Sequence, residues 1–143
     1  MQEQEWELLN SIYRNAEMGR DGLYFVLRKT DDTNFRKLIE TQLMEYQSLM
    51  DEAEERIRAG GEEPLGSSSL SKTMVRISAG CKTKQDNSPS ALADMLIQGS
   101  TMGVSKISKQ ISHYQTKCED CLSLAERLRH TEENNIEQMK KYL

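Results

Sequence analysis

Proline is nearly absent from this chain. Only Pro64 and Pro89 occur in 143 residues, and both fall in one stretch. Aromatic residues make up 6%, with a single tryptophan. All-β sandwiches and barrels draw on proline-rich turns and on aromatic, β-branched strands, so this composition argues against them. Long apolar runs are missing as well. None approaches the ~18 uncharged residues of a membrane span, and the mean hydropathy is −0.72. A membrane partner is not expected. Positive charge is also in deficit: 19 Lys and Arg against 23 Asp and Glu give a net charge of −4. Phosphate binding needs a basic surface, so nucleic acid is not an expected partner either. The cysteines are three, Cys81, Cys118 and Cys121, and the first residues are acidic and polar with no secretory pattern. We read them as cytosolic thiols in a cytoplasmic protein, not as a disulfide framework.

What the chain does have is helical periodicity. Length and composition fit one domain over residues 1–143. A first helix is expected over about 3–29, where Leu9, Ile12, Ala16, Gly19, Leu23 and Val26 recur by threes and fours. Residues 30–33, Thr-Asp-Asp-Thr, supply breaker and N-cap chemistry. A second helix is expected over about 31–59, with Ile39, Leu43, Tyr46, Met50, Ala53 and Ile57 in one stripe. Gly60 and Gly61 end it. A third helix is expected over about 89–112, opened by Ser88 as cap and Pro89 in the first turn. A fourth is expected over about 118–142, with Cys121, Ala125, Leu128, Glu132, Asn135 and Met139 along one face. Residues 60–88 form a long crossover, in which 70–79 reads as a short extra helix. Two short helical hairpins joined by one long connection make an up-down-down-up antiparallel four-helix bundle.

At this point the pattern resembles the ferritin-like superfamily, over nearly the whole length. The stretches from Leu9-Asn10 to Asp21-Gly22, residues 59–64 (Ala-Gly-Gly-Glu-Glu-Pro) and residues 98–103 (Gln-Gly-Ser-Thr-Met-Gly) are similar to small uncharacterised ferritin-like proteins of anaerobic Firmicutes. Residues 134–137, Asn-Asn-Ile-Glu, before a terminal Lys-Tyr-Leu fit the same family.

The resemblance implies a di-iron site built from a carboxylate on each of two helices and Glu-x-x-His on the other two, a spacing that puts both side chains on one helix face. Carried over residue by residue, the pattern is incomplete. Glu45 stands at the second helix's Glu position, but Ser48 stands where the His would be. Glu132 matches the fourth helix's Glu, and Asn135 occupies its His position. Glu17 is the nearest carboxylate on the first helix. The third helix has no acidic residue from Met95 to Lys117, so its position falls near Gln98 or Thr101. His113 lies at the connection between the last two helices and His130 is off the inward face. Two irons need charge compensation from about four carboxylates, and this set supplies too little. Ferroxidase or oxygenase chemistry is therefore not expected.

The inward faces still carry polar groups at mid-length: Asn15, Gln42 and Glu45, Gln98, and Glu132 with Asn135. A buried carboxylate needs a partner, a metal or a proton. We read these residues as a hydrogen-bonded polar layer, the remnant of a metal site, in which amides serve the carboxylates. The alternatives are a weak iron or manganese site on Glu45 and Glu132, or residues facing solvent or a subunit interface. Two glutamates buried together without a metal would push at least one pKa upward by repulsion.

Gly99 with Gly103, and Gly19 with Gly22, are costly inside helices at ~1 kcal/mol each. Tight packing within the bundle is the simpler reading; a dimer face or a space for a ligand is the other. Cys118-x-x-Cys121 at a helix start could lower a thiol pKa or hold half a zinc site, with Cys81 and His113 as further ligands. The plain reading puts Cys121 in the core and Cys118 near the surface. Glu52, Glu54, Glu55, Arg56 and Arg58 read as a solvated face. The expectation is thus an all-α ferritin-like bundle with a degenerate di-metal site and no cofactor. Its role would be structural or in interaction, as a homodimer. The alternative is divalent-metal binding, storage or oxidation.

Overall fold

The computed structural model describes residues 1–66, 86–114 and 117–143. They form four α-helices and, among the described residues, no strand: α1 Glu3–Leu27, α2 Thr33–Ala59, α3 Pro89–His113 and α4 Glu119–Lys140. The ends lie within three residues of those expected. The extra helix expected over 70–79 falls outside the described residues. No described helix is long and apolar enough to cross a membrane.

Local chemistry sets the ends. Asp32 caps α2, its Oδ1 accepting the Phe35 N–H at 2.8 Å. Gly60 closes α2, and Gly61 follows at φ 83°, a conformation glycine adopts without penalty. Ser88 caps α3 by accepting the Ala91 N–H at 3.2 Å, with Pro89 in the first turn. The start of α4 is unusual. Its N-cap is Cys118, whose Sγ accepts the Cys121 N–H at 3.2 Å. Cys118 and Cys121 are joined in a disulfide. This corrects the reading of the pair as thiols: three residues along a helix start bring the two sulfurs within bonding reach.

The apolar stripes meet in one core, with Leu8, Ile12, Phe35, Ile39, Ile57 and Leu128 buried completely. Each such side chain contributes ~1.5–3 kcal/mol through burial. Neighbouring helices touch at identifiable levels. Gly19 of α1 lies under the ring of Tyr46 on α2, and Gly60 lies against Met1. Asn15 Nδ2 of α1 donates to the Gly103 carbonyl of α3 at 2.9 Å, and the Tyr114 hydroxyl donates to Glu7 at 2.8 Å. Phe35 of α2 packs on Tyr142, ring centroids 4.8 Å apart. Arg127 of α4 pairs with Glu52 of α2 at 2.5 Å, and Arg56 with Asp120 at 3.5 Å. The charge run of α2 is therefore not wholly a solvated face, because Glu52 and Arg56 tie α2 to α4. The chain leaving α2 is held to α1: Asn10 Oδ1 accepts the Leu65 N–H at 2.7 Å, and Arg14 Nε donates to the Leu65 carbonyl at 3.1 Å.

Candidate functional site

Halfway along the bundle the core turns polar. Glu132 of α4 is 2% exposed, Asn135 1% and Gln42 of α2 3%. Tyr46 of α2 is equally buried and sits beside them. Asn15, Gln42, Tyr46, Ser100 and Glu132 line one small cleft with apolar walls that include Met18 and Met95. The cleft holds about 40 Å³, enough to admit water.

Glycine makes this layer possible. A Cβ at Gly103 would overlap Glu132 Oε2 and would stand 2.7 Å from its Cδ and 2.8 Å from Asn15 Oδ1. The bare backbone of α3 is thus the floor on which the carboxyl rests. On the other side, a Cβ at Gly19 would stand 2.5 Å from Tyr46 Cζ. These two glycines serve packing within the bundle. Gly22 and Gly99 line the cleft itself.

The polar atoms are under-served. Glu132 Oε1, Gln42 Nε2 and both polar atoms of the Asn135 side chain find no hydrogen-bond partner among the described residues. Ser100 and Asn135 lie close enough to Tyr46 to favour its phenolate slightly. Asn135 completes no well-formed bond in doing so. Burial dominates both acids. It holds the Glu132 carboxyl well above the usual carboxylate range. It also pushes the Tyr46 hydroxyl upward, with Glu132 adding to that shift. Burial thus favours the protonated carboxyl over the carboxylate. It then presents a donor as well as an acceptor to the surrounding amides.

The other residues singled out in the sequence lie elsewhere. Glu45 is half-buried on the far flank of α2, in a shallow groove with Ser48, Arg127 and Thr131. Burial raises its pKa, and Glu132 contributes nothing to that shift. The expected repulsion between Glu45 and Glu132 is therefore replaced by desolvation acting on each separately. Glu17 lies on the α1 flank, its carboxylate 3.4 Å from where a Gly66 Cβ would be. Gln98 is exposed and donates to Asp94 at 3.2 Å on its own helix. His113 and His130 are both exposed. Two members of the cleft, Tyr46 and Ser100, were not expected there. In the sequence Tyr46 reads simply as part of the apolar stripe. The signal for it was Gly19, a helix-interior glycine that leaves room for a large ring opposite.

The donor set decides what the centre can hold. It offers one buried carboxyl, three amides, a phenol and a hydroxyl, all through oxygen or amide nitrogen. A pair of irons needs several carboxylates and gains from imidazole. These residues do not fit it. Among the described residues, the one group of His, Cys, Asp or Glu close enough to share an ion is Glu5 with Cys118 and Cys121, at the start of α4. No family model, no curated protein and no solved structure matches the chain.

Proposed function

We propose that the chain is a ferritin-like bundle whose di-metal centre has given way to a protonated polar layer. Its role is then structural or in interaction with another protein, not oxidative. The observation that carries this reading is the solitary state of Glu132. Among the described residues it is the one carboxylate lining the cleft, and it is seated on Gly103 where a second ligand from α3 would have to enter. The helix contacts support the up-down-down-up order that such a bundle needs. The start of α1 meets the end of α2 and the end of α3, and the start of α2 meets the end of α4. The chain after Gly61 runs along α1, as a long crossover would. Assembly as a homodimer would use the bundle's outer faces, where Met44 is 75% exposed and Tyr24 47%.

Metal content of the purified full chain, with ferrous iron uptake in air, tests the reading. The expected result is metal far below one ion per chain and iron oxidation no faster than that of Glu132→Gln. Near-stoichiometric iron or manganese that disappears in the Glu45→Ala, Glu132→Ala double variant would overturn it in favour of metal storage or oxidation. Sedimentation analysis tests the dimer separately: a monomer at micromolar concentration would remove that part.

A further inference from the structure

The polar layer does not use the start of α4, and that end carries chemistry of its own. Cys118 and Cys121 are covalently paired, with their Cα atoms 5.3 Å apart. Glu5, from the first turn of α1, brings a carboxylate oxygen to within 4.8 Å of both sulfurs. Cys121 is buried, while Cys118 and Glu5 are half-buried. Glu7, two residues on, is taken by the Tyr114 hydroxyl. Two sulfurs and one oxygen from two helices thus converge.

From this convergence we infer that reduction of the Cys118–Cys121 disulfide creates a site for a zinc-class divalent cation, held by the two thiolates and Glu5.

The step balances with a thiol reductant. The disulfide and two R–SH give the protein dithiol and one R–S–S–R, with two electrons and two protons passing to the protein. Binding of the cation then releases both thiol protons. Cys-x-x-Cys is a recurrent half-site for zinc, and Zn–S bonds of about 2.3 Å and Zn–O bonds of about 2.0–2.2 Å suit ligand atoms this close together. Three protein ligands leave a fourth tetrahedral position for water. The surroundings favour a bound cation over a reactive thiolate. The helix start and the Cys121 N–H stabilise negative sulfur at Cys118. Glu119 and Asp120 in the same turn, with Glu5 opposite, oppose a bare thiolate and attract a positive ion. In the oxidised chain the sulfurs are spent on each other, so the site exists in one redox state only.

The test compares the full chain before and after a phosphine reductant. Zinc is measured by competition with a chromophoric chelator, and cobalt(II) replaces zinc as a spectroscopic probe. The expected result is one zinc per reduced chain and none per oxidised chain. Reduced protein with cobalt should show sulfur-to-metal charge transfer and tetrahedral d–d bands. Cys118→Ser keeps an N-cap side chain, so the helix start survives while zinc binding is lost. Glu5→Gln should weaken binding by at least about tenfold with the sulfur bands retained. Glu132→Gln should leave zinc binding unchanged, which separates this site from the polar layer. Reduced wild-type protein that takes up no zinc, equal binding by the oxidised chain, or full binding by folded Cys118→Ser would each overturn the inference. Should Cys118→Ser fail to fold, the cobalt spectrum of the reduced wild-type chain decides on its own: absent sulfur charge transfer overturns it.

Discussion

Helix α4 brings ionisable side chains to α1 twice, and the two meetings are opposites. At mid-length Glu132 faces Asn15 across Gly103, buried and surrounded by amides. At its start Cys118 and Cys121 face Glu5, half-open and flanked by acids. In the middle, burial without a cation penalises charge and holds the carboxyl's pKa up. The end concentrates negative potential where a cation could come and go. One helix therefore presents a proton-holding place and a cation-holding place about four turns apart. What separates them is water access more than residue type.

The sharpest way to break this contrast is to remove the proton from the middle. Glu132 has its pKa raised by burial. A carboxyl that binds its proton more tightly in the fold than in the unfolded chain favours the fold most at acidic pH. The advantage is fully present below the ordinary carboxylate pKa and is lost as pH rises from there toward the folded value. Within that window the loss reaches about 1.4 kcal/mol per pH unit. Glu132→Gln keeps the volume and removes the titration. Its stability should match the wild type below the ordinary carboxylate pKa and exceed it increasingly as pH rises from there. Denaturant melts of both proteins across that range check this. Parallel curves would mean that Glu132 is ionised and compensated in the fold.

A second test works through the floor of the cleft. Gly103→Ala gains ~1 kcal/mol in helix propensity but overlaps Glu132 Oε2, and overpacking costs about 1–3 kcal/mol. Glu132 is 2% exposed, and the space beside it is the small cleft that it lines. A net loss of up to about 2 kcal/mol is expected. In the double variant Gly103→Ala, Glu132→Ala the new methyl group enters space that the carboxyl has left. A double-mutant cycle should then show favourable coupling of about 1–3 kcal/mol. Strict additivity would place the two residues out of contact.

The helices were legible because apolar residues recur at helical spacing and the breaks carry capping residues: Asp32, Gly60 and Ser88 all sit where the sequence places an end. The site was legible only in part. Gln42, Glu132 and Asn135 lie on faces expected to turn inward, and all three are buried. Glu45 lies on an expected inward face too, yet ends on the flank. A helix face is wider than one residue, and the neighbouring helix decides which of its edges is covered. Gln98 turns outward for the same reason, while Ser100 two residues later reaches the cleft. Asn10 and its partner Leu65 are 55 residues apart, a pairing that periodicity cannot express. The convergence of Glu5 with the cysteine pair depends likewise on how α1 packs beside α4, which no local pattern records.

At the other end of the contrast, chemistry should matter more than stability. Cys118 and Cys121 are three residues apart, so their bond closes a very short loop and removes little unfolded-state entropy. Reduction should lower the unfolding free energy by less than about 2 kcal/mol. The pH dependence assigned to Glu132 should survive reduction unchanged, because the two places share no titrating group. Chemical denaturation with and without reductant, at two pH values, checks both statements. A change in the pH slope on reduction would show that the middle and the end are coupled, and the comparison would fail.

The smallest effect belongs to the ion pairs that tie α2 to α4 between these two places. Arg127 and Glu52 meet at 2.5 Å, but their side chains are 50% and 36% exposed. Water screens such a pair, and holding two long side chains in one geometry costs entropy, so exposed pairs are worth about 0.2–1 kcal/mol. Arg127→Ala should therefore cost less than about 1 kcal/mol, and a double-mutant cycle with Glu52→Ala should assign only part of that to the pair. Added salt should shrink the coupling further, since the charges are open to counter-ions. The Glu132 effect should persist in the same salt, because a desolvated carboxyl is shielded from ions. Measuring both variants at low and high ionic strength puts the surface and the interior on one scale. A salt-sensitive Glu132 would mean that ions reach the cleft, and that the middle of the bundle is open in the way assigned to its end.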